Sequence, residues 1–180
     1  MNTFIITVLF IVLTTGGIKQ PMHTLQSYDV AIKDRNLNQQ KEDPYQVKFS
    51  LEKQSETGYN LIVAMQLNEG AHYISPNSRR TFTGKFKLFI DSKEYLLVDN
   101  FLLEDPASVE IYDNHPFVDG YVNWVAQDTQ YKKLIHVKTK DDFNVYGFIQ
   151  FTIEPRCSLE KIPFIIKQRH GKLVVEINVC

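Results

Sequence analysis

The chain has almost no cysteine: Cys157 and Cys180 are the only two in 180 residues. That excludes a disulfide-dense small scaffold and a zinc site built on paired Cys-x-x-Cys. Charge of one sign is also missing. Lys and Arg number 20 against 21 Asp and Glu, a formal net charge of -1, so no long-range field points to nucleic acid or to an anionic membrane surface. The histidines, at 23, 72, 115, 136 and 170, show no metal-ligand spacing, and no EF-hand pattern occurs, so no metal is expected. No N-x-Ser/Thr acceptor is present, and glycosylation gives no guide to exposure. No apolar run reaches the roughly 20 residues that a membrane-spanning helix needs.

Hydrophobic residues make up 43% and aromatic residues 12%, enough to bury the core of one ordinary domain. The longest apolar run, FIITVLFIVL over residues 4–13, fits the h-region of a secretory leader, and the small and polar Thr14, Thr15, Gly16 and Gly17 follow it. Met1, Asn2 and Thr3 supply no Lys or Arg, so the α-amino group is the sole positive charge before the run. The expected division is a signal peptide over 1–17, a flexible arm over 18–43 without sustained periodicity, and a folded domain over 44–180. The mature chain is expected to be secreted or periplasmic, with no membrane span. In such an oxidising compartment two cysteines can pair.

Beyond Asp43-Pro44 the pattern is alternation. Val47, Phe49 and Leu51 share one face of residues 45–53, and Leu61, Val63, Met65 and Leu67 one face of 59–67, with Thr57-Gly58 as the turn of a hairpin. Residues 70–84, GAHYISPNSRRTFTG, form a long loop rich in turn formers. Further strand patterns follow at 85–90, 95–98, 109–112, 117–126, 131–138, 143–154, 162–167 and 173–179. Residues 99–106 are a less regular connection, Asp113 to Pro116 reads as a turn, and Pro155 ends the strand before it. Trp124 is assigned to the core, on the face it shares with Val122 and Ala126. About eight or nine strands at roughly ten-residue spacing, with no amphipathic helix to cover them, predict an all-β sandwich, with a closed barrel as the alternative.

Chemistry is sparse. Cys157 follows Pro155-Arg156 just past a strand end, where Arg156 can favour the thiolate. Three readings stand: a structural disulfide between Cys157 and Cys180, which would stabilise the fold by about 3 kcal/mol on the loop-entropy model; two unpaired thiols; and a Cys157 that exchanges disulfides with Cys180 or with a partner cysteine. A nucleophilic site pairing Cys157 with His170 needs an acyl-transfer pocket that nothing indicates. Arg79 and Arg80 beside Tyr73 and Phe82 can form a small anion or aromatic-lined site in the long loop. The acids Asp113, Asp119, Asp141 and Asp142 are explained by turn chemistry.

The succession of Glu69-Gly70-Ala71-His72-Tyr73-Ile74-Ser75, the strand from Phe86 to Ile90, Tyr112-Asp113, and Val145-x-Gly147-Phe148-Ile149-x-Phe151 leading to Cys157 resembles the amino-terminal domain of the periplasmic thiol-disulfide reductant DsbD and its stand-alone bacterial relatives. The resemblance implies an immunoglobulin-like β-sandwich that passes electrons from a membrane redox protein to thioredoxin-like partners through two nearby cysteines, without a cofactor. Here only Cys157 stands at that place, and Ser158 to Pro163 contains no second cysteine. The expectation is therefore a binding or accessory module without stand-alone catalysis, contacting a protein partner through His72, Tyr73, Arg79, Arg80, Phe82 and the Cys157 turn. The alternative is a thiol-disulfide exchange protein using Cys157 with Cys180 or a partner's cysteine.

Overall fold

In the computed structural model, residues 43–91 and 94–177 are described, and they form an all-β fold. The expected leader, nearly all of the arm, and Cys180 lie outside the described residues. The strands are β1 (Tyr45–Lys53), β2 (Gly58–Leu67), β3 (Tyr73–Ile74), β4 (Lys87–Ile90), β5 (Leu96–Val98), β6 (Leu103–Asp105), β7 (Glu110–Asp113), β8 (Gly120–Val125), β9 (Thr129–Val137), β10 (Phe143–Ile153), β11 (Ser158–Arg169) and β12 (Lys172–Ile177). All pairings are antiparallel.

One layer runs β1-β2-β9, with β5 and β6 following one another along the free edge of β9. The other runs β12-β11-β10-β4. A third sheet, β3-β8-β7, joins the second layer where His72 and Glu154 exchange backbone hydrogen bonds at 2.9 and 3.2 Å. The expected sandwich thus forms from separate sheets, with more and shorter strands than the repeat in the sequence implies. β3, β5, β6 and β7 are each four residues or fewer, too short to show a period of two.

The long strands follow their alternation. Val47 and Phe49 of β1 pair across the hairpin with Met65 and Val63 of β2, and all four are buried. From the facing layer come Val145, Ile149, Phe151 and Ile153 of β10, Phe164 and Ile166 of β11, and Leu173 and Val175 of β12. An aromatic seam joins the layers. Phe86 stacks on Tyr131 at 4.1 Å, Tyr73 lies 5.4 Å from Phe151, and Phe49 4.8 Å from Phe164. Each such contact adds about 0.5–1.5 kcal/mol to the area buried.

Two expectations change. β11 starts at Ser158, four residues before its apolar run, and passes straight through Pro163. Trp124 leaves the core: Val122 is fully buried, but the Trp124 ring is only half-buried, donates its indole N–H to Asp113 Oδ2 at 2.8 Å and meets the His72 ring edge-on at 4.9 Å.

Candidate functional site

One end of the sandwich gathers the β10–β11 turn, the segment 70–84 and the β7–β8 hairpin. β10 stops before Pro155, and the chain reverses through Arg156 and Cys157, the latter at a φ of 50°. That left-handed conformation is uncommon for any residue with a side chain. It leaves Cys157 exposed with an unpaired thiol.

The chemistry around that thiol is the reverse of the expected activation. Arg156 turns away: its guanidinium donates to Ser158 Oγ at 2.8 Å, Asp43 Oδ1 at 3.3 Å and Glu160 Oε1 at 2.6 Å. Cys157 Sγ instead donates to Glu154 Oε2 at 2.8 Å. A carboxylate accepting the S–H holds the proton in place, so the Cys157 pKa lies above the ordinary thiol value, chiefly through that hydrogen bond. The thiolate, the species that attacks disulfides, is disfavoured. His170 lies at the far end of β11; twelve residues at about 3.3 Å each put the two turns more than about 30 Å apart, so no Cys157–His170 pair exists.

Glu160 closes a polar cluster behind the turn. Tyr45 Oη donates to its Oε2 at 2.8 Å and Ser158 Oγ to its Oε1 at 2.7 Å. Burial raises the Glu160 pKa, but the hydrogen bonds from Ser158, Tyr45 and Arg156 outweigh it, and the net shift is downward.

The segment 70–84 is not a free loop. Tyr73 is fully buried, and its hydroxyl lies 3.0 Å from that of Tyr131, so it belongs to the core and cannot meet a partner. His72 is half-buried between the Glu154 backbone and Trp124. Arg79 is exposed and pairs with Glu110 of β7 at 3.7 Å. Arg80 donates to Val118 O at 2.5 Å, with its guanidinium 5.0 Å from the half-buried Phe82 ring. Arg80 thus anchors the β7–β8 hairpin, whereas Arg79 makes only an exposed ion pair with it, and the two guanidinium groups engage different partners.

That hairpin exposes apolar side chains on both of its faces, Val109 and Ile111 on one and Tyr112 and Tyr121 on the other, which no feature of the sequence singled out. Phe117 is 90% exposed and Val109 75%, with Ile111, Tyr112 and Tyr121 also open to solvent and the two tyrosine rings edge-to-face at 5.4 Å. A shallow cleft of about 220 Å³ lies beside it, lined by Pro106, Ser108, Val109, Trp124 and Ala126 among others.

Beneath the hairpin sits a second residue the sequence does not advertise. Glu104 of β6 is only 4% exposed and has no cationic partner among the described residues. Its Oε2 accepts from Ser75 Oγ at 2.9 Å, Asn77 Nδ2 at 2.7 Å and Ser108 Oγ at 3.0 Å, and its Oε1 from Tyr131 Oη at 3.1 Å. Burial, then Tyr73 and Glu104, push the Tyr131 pKa far above the ordinary phenol value, which keeps it a donor. The only hint in the sequence is an acid directly after Leu102-Leu103. The network ties the start of the 70–84 segment to the β6–β7 connection.

Among the described residues, no cluster of three or more His, Cys, Asp or Glu side chains could hold a metal ion, and no helix is long and apolar enough to cross a membrane. No known family and no curated protein matches the chain. Solved structures similar to it include the GAE domain of GGA2p from Saccharomyces cerevisiae, at 6% identity and a TM-score of 0.41 over 79% of this chain and 98% of that one. The yeast GGA1 GAE domain is similar at 11% identity and 0.39, over 74% and 96%.

Proposed function

We propose that this protein is a β-sandwich binding module that docks a protein partner through the β7–β8 end, without catalysis of its own, in a secreted or periplasmic setting. The observation that carries the reading is the exposure of the hairpin's apolar side chains, with Val109 and Ile111 on one face, Tyr112 and Tyr121 on the other and Phe117 at the turn, in a hairpin anchored by Arg80. Apolar side chains grouped on a braced hairpin and rimmed by polar residues are the surface composition of interaction sites. Kinship with the thiol-disulfide reductant domain is part of the proposal, resting on the place of Cys157 after the Val145 to Phe151 strand. The Glu154 contact argues that Cys157 has no exchange role in this chain.

A second reading, thiol-disulfide exchange with Cys180 or a partner's cysteine, is favoured by one observation, the exposure of a free Cys157 thiol. One experiment separates the two. A photo-crosslinking amino acid is placed at Phe117 in the protein expressed in its own host, with a control position at the exposed Lys53, and each is combined with Cys157→Ser. For a binding module, a discrete adduct forms from Phe117 alone, disappears on Ile111→Ser with Tyr112→Ser, and is indifferent to Cys157→Ser. Loss of the adduct with Cys157→Ser, or a mixed disulfide trapped through Cys157, transfers the function to exchange. Equal labelling from both positions sinks the hairpin as the docking surface.

A further inference from the structure

The sheet β12-β11-β10-β4 ends on a strand whose outer edge has no partner among the described residues. The Asp91 N–H bonds to Tyr146 O at 2.9 Å and the Phe86 N–H points the other way, to Ile74 O. Along β4 the backbone groups therefore alternate: those of Lys87, Phe89 and Asp91 face β10, and those of Leu88 and Ile90 face outward. An edge strand with open backbone polar groups is a template for another strand unless something blocks it.

What lies along this edge is self-complementary. Place a second β4 antiparallel to the first about a two-fold axis through Phe89. Leu88 then faces the second copy's Ile90, and the outward backbone groups of these two residues supply the hydrogen-bonded pairs. Phe89 meets its own copy in a non-hydrogen-bonded position, where Cα atoms approach to about 4.5 Å and side chains touch most closely. Lys87 falls opposite Asp91 of the second copy, and Asp91 opposite its Lys87. Both side chains are exposed, and neither has an ion-pair partner among the described residues.

The flanking surface extends the match. Phe89, 50% exposed, stacks on Phe148 at 5.1 Å, and the Lys161 ammonium sits 4.1 Å from the Phe148 ring. Two copies would line up a row of four phenylalanines with a lysine over each end. Gly147 makes this geometry available: a side chain there would strike the Phe164 ring and the Phe89 carbonyl, so glycine lets β4 sit close against β10. Another short edge, β7, behaves differently. It offers Glu110 and Asp113 with no base of its own, so two antiparallel β7 strands bring acid toward acid.

We propose that β4 is a self-association edge, joining two copies of this chain in an isologous dimer with one sheet continuous across the two-fold axis. The complementarity of Lys87 and Asp91 about Phe89 commits the site to a second copy of the chain.

The test is charge reversal followed by recombination. In sedimentation velocity, the purified protein is expected to shift from the mass of one chain to that of two as its concentration rises. Lys87→Asp leaves acid facing acid across the two-fold axis, and Asp91→Lys leaves base facing base; each is expected to weaken the dimer by about tenfold or more, since two symmetry-related pairs turn repulsive at once. Mixing the two variants in equal amounts sets the two acids of one chain against the two bases of the other, and a heterodimer is expected at least as tight as the wild type. Both positions are exposed, so unchanged circular dichroism and melting exclude misfolding as the cause. A wild type that stays monomeric at every concentration overturns the proposal, as does a dimer indifferent to both reversals or a mixture that fails to recombine.

Discussion

The two-layer body and the β3-β7-β8 end are held together by different physics. In the body, long strands place a complete apolar face against the opposite layer, and Phe49, Leu61, Val63, Ile149, Phe151 and Phe164 are each 2% exposed or less. At the end, strands of two to six residues have too little inward area to do this. Tyr73, Val122 and Val125 are still buried there, but much of the remaining anchorage is polar: Glu104 with its hydroxyl and amide donors, Arg80 on Val118 O, and the Trp124 indole on Asp113. Apolar residues freed from core duty there stay exposed. The contrast teaches that an end pinned by hydrogen bonds can present an apolar surface that a body pinned by burial has to hide.

The sharpest way to break the comparison is to attack each region by its own mechanism. Phe151→Ala removes a ring that meets Tyr45, Tyr73 and Phe86 in the seam. A loss of about 3–5 kcal/mol is expected in urea unfolding, with protection lost throughout the molecule. Glu104→Ala should cost about 3 kcal/mol, because Ser75, Asn77, Ser108 and Tyr131 lose their acceptor in a buried place. Here hydrogen exchange should quicken at residues 75–78 and 104–108 while β10 and β11 stay protected. Uniform loss of protection would show that the end is not a separate unit.

Gly147→Ala should follow at about 1–3 kcal/mol, as the new methyl overlaps the Phe164 ring and the Phe89 carbonyl. Exchange at Leu88 and Phe89 should report the displacement of β4 first.

The smallest effect expected is electrostatic. The Glu160 carboxylate has its pKa lowered in the fold, so the stabilisation it supplies is complete above the ordinary value of 4.5 and fades as pH falls through the lower, folded value. Tyr45→Phe removes one of the bonds responsible and should flatten this acid limb of the stability profile, measured by thermal melting from neutral pH downward. An unchanged limb would place the acid sensitivity elsewhere. In the same register, Glu154→Gln removes the negative acceptor that restrains Cys157 and should speed its alkylation by iodoacetamide at mildly alkaline pH.

How much of this was readable in advance follows strand length. The β1 and β2 hairpin, the buried face of β10 and the break at Pro155 could be read from alternation and proline chemistry, and the register between Tyr45 and Leu67 matches that reading. β11 was only half legible, since Glu160, Lys161 and Pro163 disguise its first half as a connection although it pairs with β10 from Ser158 onward. For the candidate site, the turn at Arg156 and Cys157 was legible, but the relation between the two side chains was not. Adjacency in sequence says nothing about where a long guanidinium points once Asp43 and Glu160 are within reach.

By itself the sequence determined the fold class and the inward faces of the long strands, because a period of two repeated over nine or more residues can be satisfied only by a sheet covered on one side. The tertiary structure alone decided that Tyr73 is core, that Glu104 is buried among neutral donors, that the Cys157 thiol faces an acid, and that an aromatic hairpin stays exposed. Each of these depends on residues distant in the chain arriving at one point: Glu104 meets Ser75 and Tyr131 only when three strands and two connections are in place. No local pattern encodes such a meeting.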